Sequence, residues 1–220
     1  MLDFTKNTGV LSLALILAGF GAAAAAVLAV VAEITAPAIE NAQQKSRNKI
    51  LLTLLPENVA NDPSSCNTEY DGIIYFGGFD AVGDLLGIVA KSSANGYAGP
   101  VEIYTGMTPE GTVVNVCAGK HNETPGLGSV VLERRLQATI TDPFPVADGL
   151  PPNEILDWFS QKNGTGEPWK IEKDGGGCKF RTGATITSRA VCGAVWDAAE
   201  NFAEHREEIT ELLRMEYGSN

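Results

Sequence analysis

The sequence predicts one membrane-spanning helix followed by an α+β domain, and three observations carry that expectation. Residues Gly9 to Ala32 contain no charged side chain. Four short β-rich runs lie between residues 73 and 116, and helical patterns return only after them. Helix, then strands, then helices is the grouped order of an α+β domain, whereas a doubly wound sheet would alternate strands with helices.

The first element is the apolar run. As a helix its 24 residues reach about 36 Å, enough to cross a bilayer core with some tilt. Lys6 and the small residues Ala22 to Ala26 would also fit a cleaved signal peptide. A retained anchor accounts better for the length, because signal h-regions stop near about 15 residues. Lys6 and the α-amino group before the span, with Glu33 and Glu40 after it, place the N-terminus inside and the rest of the chain outside. Lys45, Arg47 and Lys49 pull the other way. Gly19, Gly21 and the alanine run are the small residues that close packing against other membrane helices favours. The expected division is residues 1–35 as anchor, 36–60 as a juxtamembrane helix and 61–220 as the domain.

Pro37 suits the first turn of a new helix, or a kink. Ile39, Ala42, Ile50 and Leu54 then share one helical face as far as Leu55-Pro56. Asn61 to Ser65 reads as a loop. Ile73–Phe76, Gly87–Ala90, Val101–Tyr104 and Val113–Val116 read as strands. Thr108-Pro109-Glu110-Gly111 has turn chemistry and predicts a hairpin between the last two. A helix is expected around Val130 to Gln137, and a short one through Ile155, Leu156 and Phe159 after Pro151-Pro152. The final long helix should start near Thr187 or Ser188 and bury Val191, Ala194, Val195, Ala198 and Phe202.

The net charge is −11, and residues 40–220 carry −10 of it. Such a surface repels nucleic-acid phosphates and anionic lipid, which excludes both as partners. Two histidines and four cysteines, with no CxxC and no His-x3-His, leave no metal centre to expect.

Two segments could carry chemistry. His121-Asn122-Glu123-Thr124-Pro125-Gly126-Leu127-Gly128 is a pre-shaped loop whose backbone can approach a flat ligand; it also reads as a plain strand-to-helix connection. Thr182-Gly183-Ala184-Thr185-Ile186-Thr187-Ser188 opens the last helix. Its hydroxyls could be ordinary caps. The same place also suits a phosphate, because first-turn amides and the helix dipole stabilise an anion.

Together, behind a single span, these segments resemble the G subunit of the Rnf (Rsx) ion-translocating electron transport complex. The C subunit of the sodium-pumping NADH:quinone oxidoreductase is more distantly similar. The resemblance runs nearly end to end, through Gly96-Tyr97-Ala98-Gly99, Glu123 to Gly128, Lys173-Asp174-Gly175-Gly176 and Thr182 to Thr187. It implies an FMN-binding α+β domain in which FMN is joined to Thr185 through a phosphoester. Thr182, Gly183, Ala184, Ile186 and Thr187 would surround the attachment, and Glu123, Thr124 and Leu127 would lie beside the flavin ring. It further implies maturation by a flavin transferase that uses FAD and Mg²⁺ outside the cytoplasm. The work implied is electron transfer within an inner-membrane complex that couples flow between ferredoxin and NAD to ion movement. The domain would face the periplasm among companion subunits, with no stand-alone catalytic residues. One departure is that the family commonly has Asp six residues before the threonine, where this chain has Lys179; Asp174 is the nearest acid upstream.

Two other readings stand beside this one: a tethered binding or scaffold module without cofactor, and an anchored hydrolase built on His121. His205 is expected as a solvated surface group. The cysteines at 66, 117, 178 and 192 are expected as buried thiols, with a Cys178–Cys192 disulfide the alternative.

Overall fold

The structure is a computed structural model that describes residues 4–134 and 150–219. It divides into two units, residues 1–46 and 47–220. The first unit consists of most of α1 (Phe4–Leu54). The helix continues through Pro37, so of the two alternatives expected there, a new helix or a kink, no new helix starts. An interior proline removes one backbone hydrogen bond and need not end a helix whose neighbours continue the pattern. Leu13, Leu15, Ile16, Leu17 and Phe20 are all exposed. An apolar helix of this length with its side chains uncovered is long and apolar enough to cross a membrane.

The second unit is built on an antiparallel meander of β1 (Asn67–Tyr70), β2 (Ile73–Phe79), β3 (Leu85–Asn95), β4 (Pro100–Met107) and β5 (Val113–Ala118), paired in chain order. All four expected strands are present and longer than their apolar centres. The turn after β4 forms as expected, with the Thr108 and Gly111 amides closing it. The sheet is covered on both faces, which explains why its strands read as continuous apolar runs rather than strict alternation. Tyr75, Ile88, Ala90, Val101 and Ile103 face one core, while Phe76, Val89 and Tyr104 face another together with Leu51, Leu54 and Leu55. Successive side chains on a strand point to opposite faces, and β2, β3 and β4 each divide that way.

The first core is closed by α4 (Thr185–Ser219), through Val191, Ala194, Val195, Ala198 and Phe202, the face expected from the sequence. Buried polar groups fix its register on the sheet. The Tyr75 hydroxyl donates to Asn201 Oδ1 at 2.7 Å, and Ser92 Oγ donates to the Ala194 carbonyl at 2.9 Å. The backbone departs from helical geometry at His205. That ring lies against Tyr70, with centroids 4.8 Å apart, and is half-buried rather than freely solvated.

Two short helices complete the described chain: α2 (Gly128–Leu132) and α3 (Glu154–Asp157), with a 3₁₀ turn at Glu172–Asp174. The helix expected around Val130 to Gln137 ends at Leu132, Glu133 being extended; residues 135–137 lie outside the described residues. Asn153 caps α3, its Oδ1 accepting from the Ile155 and Leu156 amides, while its Nδ2 donates to the carbonyls of Val130, Val131 and Glu133. That one side chain ties α3 to the end of α2.

Candidate functional site

The site forms where three segments distant in sequence meet: the turn 96–99, the loop 123–128 and the first turn of α4. Gly183 has φ +89°, a left-handed conformation that turns the chain sharply before the helix. The Ala184 amide donates back to the Arg181 carbonyl at 3.0 Å. The helix therefore begins at Thr185, earlier than the expected start at Thr187 or Ser188. Those two residues do not cap the helix end from outside; they lie within its first turn and point inward.

Their hydroxyls are both engaged. Thr187 is fully buried and its Oγ1 donates to Glu123 Oε2 at 2.7 Å. Ser188 Oγ donates to the Ala184 carbonyl at 2.9 Å and accepts from the Arg181 amide at 3.2 Å. Thr185 is partly exposed. Amides of a first helical turn have no acceptor within the helix, and the dipole places partial positive charge beside them.

Glu123 is only 5% exposed, and its other oxygen accepts from the Ala98 amide at 3.1 Å. The carboxylate thus bridges the turn 96–99 and α4. A Cβ on Gly96 or on Gly128 would run into that carboxylate. The two glycines are what allow it to sit there. Of the other expected ring-side residues, Thr124 and Leu127 are exposed, Leu127 at 49%. The Thr124 carbonyl holds the loop's shape by accepting from the Leu127 and Ser129 amides, each at 3.2 Å. Leu127 packs near Gly183, which brings the loop against the 182–187 segment.

Most large apolar side chains of this unit are buried, yet Leu127, Val130 and Ile186 (48% exposed) stand uncovered on the elements that meet here. An accessible hydroxyl at a helix N-terminus beside uncovered apolar side chains matches the two ends of a phosphorylated flat cofactor. The phosphate finds amides and the dipole; the ring finds apolar surface. The residues present therefore fit FMN.

Two neighbouring contacts had no signal in the sequence. Arg189, on the next turn of α4, pairs with Asp174, and Lys179 pairs with Glu172 at 2.6 Å. The position where the resembling family commonly has an acid is thus held in an exposed ion pair. Arg189 holds the Asp174 carboxyl below its usual range. The buried cysteines are free thiols. Cys178 Sγ donates to the Lys179 carbonyl at 3.5 Å, and the neighbouring Cys192 thiol together with burial pushes the Cys178 thiol up. His121 Nδ1 is buried and has no hydrogen-bond partner among the described residues. A hydrolase triad needs a carboxylate at that nitrogen to set the tautomer, so this geometry gives the hydrolase reading no support.

Comparison with known proteins places these observations in a wider set. A model described as FMN-binding domain matches residues 96–200, which hold the turn, the loop and the start of α4. A model described as RnfG N-terminal region matches residues 1–54. The G subunit of the ion-translocating oxidoreductase complex of Vibrio vulnificus (strain YJ016) is 32% identical over 221 residues, covering 95% of this chain and 94% of that protein. The G subunit of the same-named complex from Pseudomonas aeruginosa (strain UCBPP-PA14) is 29% identical, covering 94% and 95%. Among solved structures, NqrC of Shewanella oneidensis aligns over 70% of this chain and 73% of its own, at 20% identity and a TM-score of 0.43.

Proposed function

The chain belongs to the family of G subunits of ion-translocating oxidoreductase complexes, and on that premise we propose that Thr185 carries FMN as a phosphoester and that the domain passes electrons within such a complex. At the coarser level it is an electron-transfer subunit of a membrane complex, with an FMN-binding domain and an N-terminal apolar helix consistent with anchoring. Its partners include the other subunits of that complex.

The observation that carries the finer reading is the division of labour among the hydroxyls of α4's first turn. Thr187 and Ser188 are buried and hydrogen-bonded inside the protein, and Thr185 is left accessible at the positive end of the helix. Bound FMN supplies one- and two-electron transfer between carriers. The protein's own part is to hold it. Thr185 Oγ would supply the oxygen of the ester, the first-turn amides would neutralise phosphate charge, and Leu127 and Ile186 would offer apolar surface to the ring. In the attachment step the Thr185 oxygen forms a new bond to the flavin-side phosphorus of FAD. The pyrophosphate P–O bond would break, AMP would leave, and the hydroxyl proton would pass to solvent. A flavin transferase provides that step.

The same reading gives electron flow between ferredoxin and NAD as the chemistry of the whole assembly, coupled to ion movement. The domain faces the periplasm, on the far side of the bacterial inner membrane from Lys6. A covalent tether suits that compartment, where lost cofactor could not be replaced.

The test is flavin fluorescence in denaturing gels, on full-length protein produced in a host with an active transferase. Wild-type protein should fluoresce after denaturation, and Thr185→Ala should not. A dark wild-type band, with the peptide 182–189 unmodified by mass spectrometry, would leave the tethered module without cofactor as the surviving reading.

A further inference from the structure

We infer that Glu123 is a positioning residue that makes Thr185, rather than Thr187, the hydroxyl offered for attachment. The consequence for flavin rests on the reading given above; the structural part does not.

The two threonines have the same side chain, and both lie in the first turn of one helix, two residues apart. Residues two apart on an α-helix point about 200° away from each other. Only one of them can face the protein interior at a given rotation of the helix. The contact between Thr187 and Glu123 selects which. With Thr187 Oγ1 donating to the buried carboxylate, Thr187 is fully buried and Thr185 is turned toward the opposite, accessible side.

Glu123 is held so that it can do this. Its second oxygen takes the Ala98 amide, and Gly96 and Gly128 leave the space its carboxylate occupies. A buried carboxylate is costly unless its lone pairs are satisfied, and hydrogen bonds to a charged group are stronger than neutral ones. Turning Thr187 outward would leave one oxygen of Glu123 buried and unpaired, so the rotation of α4's first turn is fixed by that cost. Glu123 is therefore committed to Ala98 and Thr187, while Thr124, Leu127 and Ile186 remain exposed.

The experiment uses full-length protein made with the transferase present, and compares wild type with Glu123→Ala, Glu123→Gln and Thr187→Val. Two quantities are read: flavin occupancy at the peptide 182–189 by mass spectrometry, and, in protein made without the transferase, amide exchange over residues 188–192, the first turn of α4 whose amides bond within the helix. Glu123→Ala and Thr187→Val should each speed exchange in that turn by about 10-fold or more, as loss of a hydrogen bond to a charged group implies. Both should lower occupancy or spread the modification to other hydroxyls. Glu123→Gln, which accepts at only one oxygen, should fall between them and wild type. Thr187→Val preserves side-chain shape, so it remains informative if Glu123→Ala fails to fold. Wild-type exchange rates in Thr187→Val would overturn the inference even if Thr185 is the flavin site. Fast exchange in the variants, with flavin absent from wild-type Thr185, would uphold the clamp and defeat the attachment reading instead.

Discussion

Arg189 grips Asp174 with two parallel hydrogen bonds, Nε to Oδ2 at 2.6 Å and Nη2 to Oδ1 at 2.7 Å. The pair joins the 3₁₀ turn at Glu172–Asp174 to the helix that begins at Thr185, across a gap of 15 residues in sequence. Two-pronged geometry of this kind fixes orientation as well as distance.

Because the Arg189 bonds lower the Asp174 pKa from its usual 3.8, the pair persists at neutral pH and is lost only as pH falls through that depressed value. Carbon-detected NMR of the carboxyl should therefore show a midpoint below 3.8, and Arg189→Gln should return it to about the ordinary aspartate value. Both side chains reach solvent, so the melting temperature at neutral pH should change little.

Ser188→Ala removes a hydroxyl that both donates to the Ala184 carbonyl and accepts from the Arg181 amide. The expected loss is about 1 kcal/mol, typical of a hydrogen bond within the protein. Urea denaturation would measure it. Since the Thr185 hydroxyl is untouched, the proposed attachment predicts that flavin is found on that residue in the variant as in wild type.

Gly164 lies against α4 so closely that a Cβ would overlap the Ala199 carbonyl and the Glu200 amide. Backbone cannot swing aside as a flexible side chain can. Gly164→Ala should cost about 2 kcal/mol or more, in the range of overpacked cores. Thermal unfolding monitored by circular dichroism is the measurement, and a variant as stable as wild type would contradict this packing.

Cys66 predicts a response to alkali. Burial pushes its thiol up from 9.0 to about 11, with the nearby Glu216 charge adding to the effect. A raised thiol pKa means the folded state keeps the proton longer, so its stabilisation is present below pH 9 and is lost as pH rises toward 11. Stability should fall by about 2 kcal/mol over that interval, and Cys66→Ala should flatten the slope. Alkylation of wild type without reductant should be slow in the native state and reach four adducts after unfolding, matching the free thiols.

The parts of this molecule that were legible in the sequence are those governed by local pattern. The apolar helix, four strands, the turn after β4 and the buried face of α4 all follow from residues that are neighbours along one element. β1 was not legible, because Asn67-Thr68-Glu69-Tyr70 is polar and short; it is a strand because its residues pair with Ile73–Phe76 across a tight turn. The start of α4 was misplaced by two or three residues because Thr187 and Ser188 have the composition of caps. Their hydroxyls are in fact satisfied by Glu123, 64 positions away, and by the helix's own backbone. The two halves of the candidate site could be seen as motifs, whereas the bond that joins them has no local signature.

Each strand of the meander pairs with the one made just before it, yet the face they share is not closed until the last long helix arrives. Nothing before residue 185 can supply Val195 or Phe202 to that face, or Thr187 to Glu123. The Thr185 hydroxyl therefore acquires its final setting only after the C-terminal segment has docked. Under the proposed attachment, a modifying enzyme that reads this setting would act on a finished domain, and truncated chains would present it with nothing to recognise.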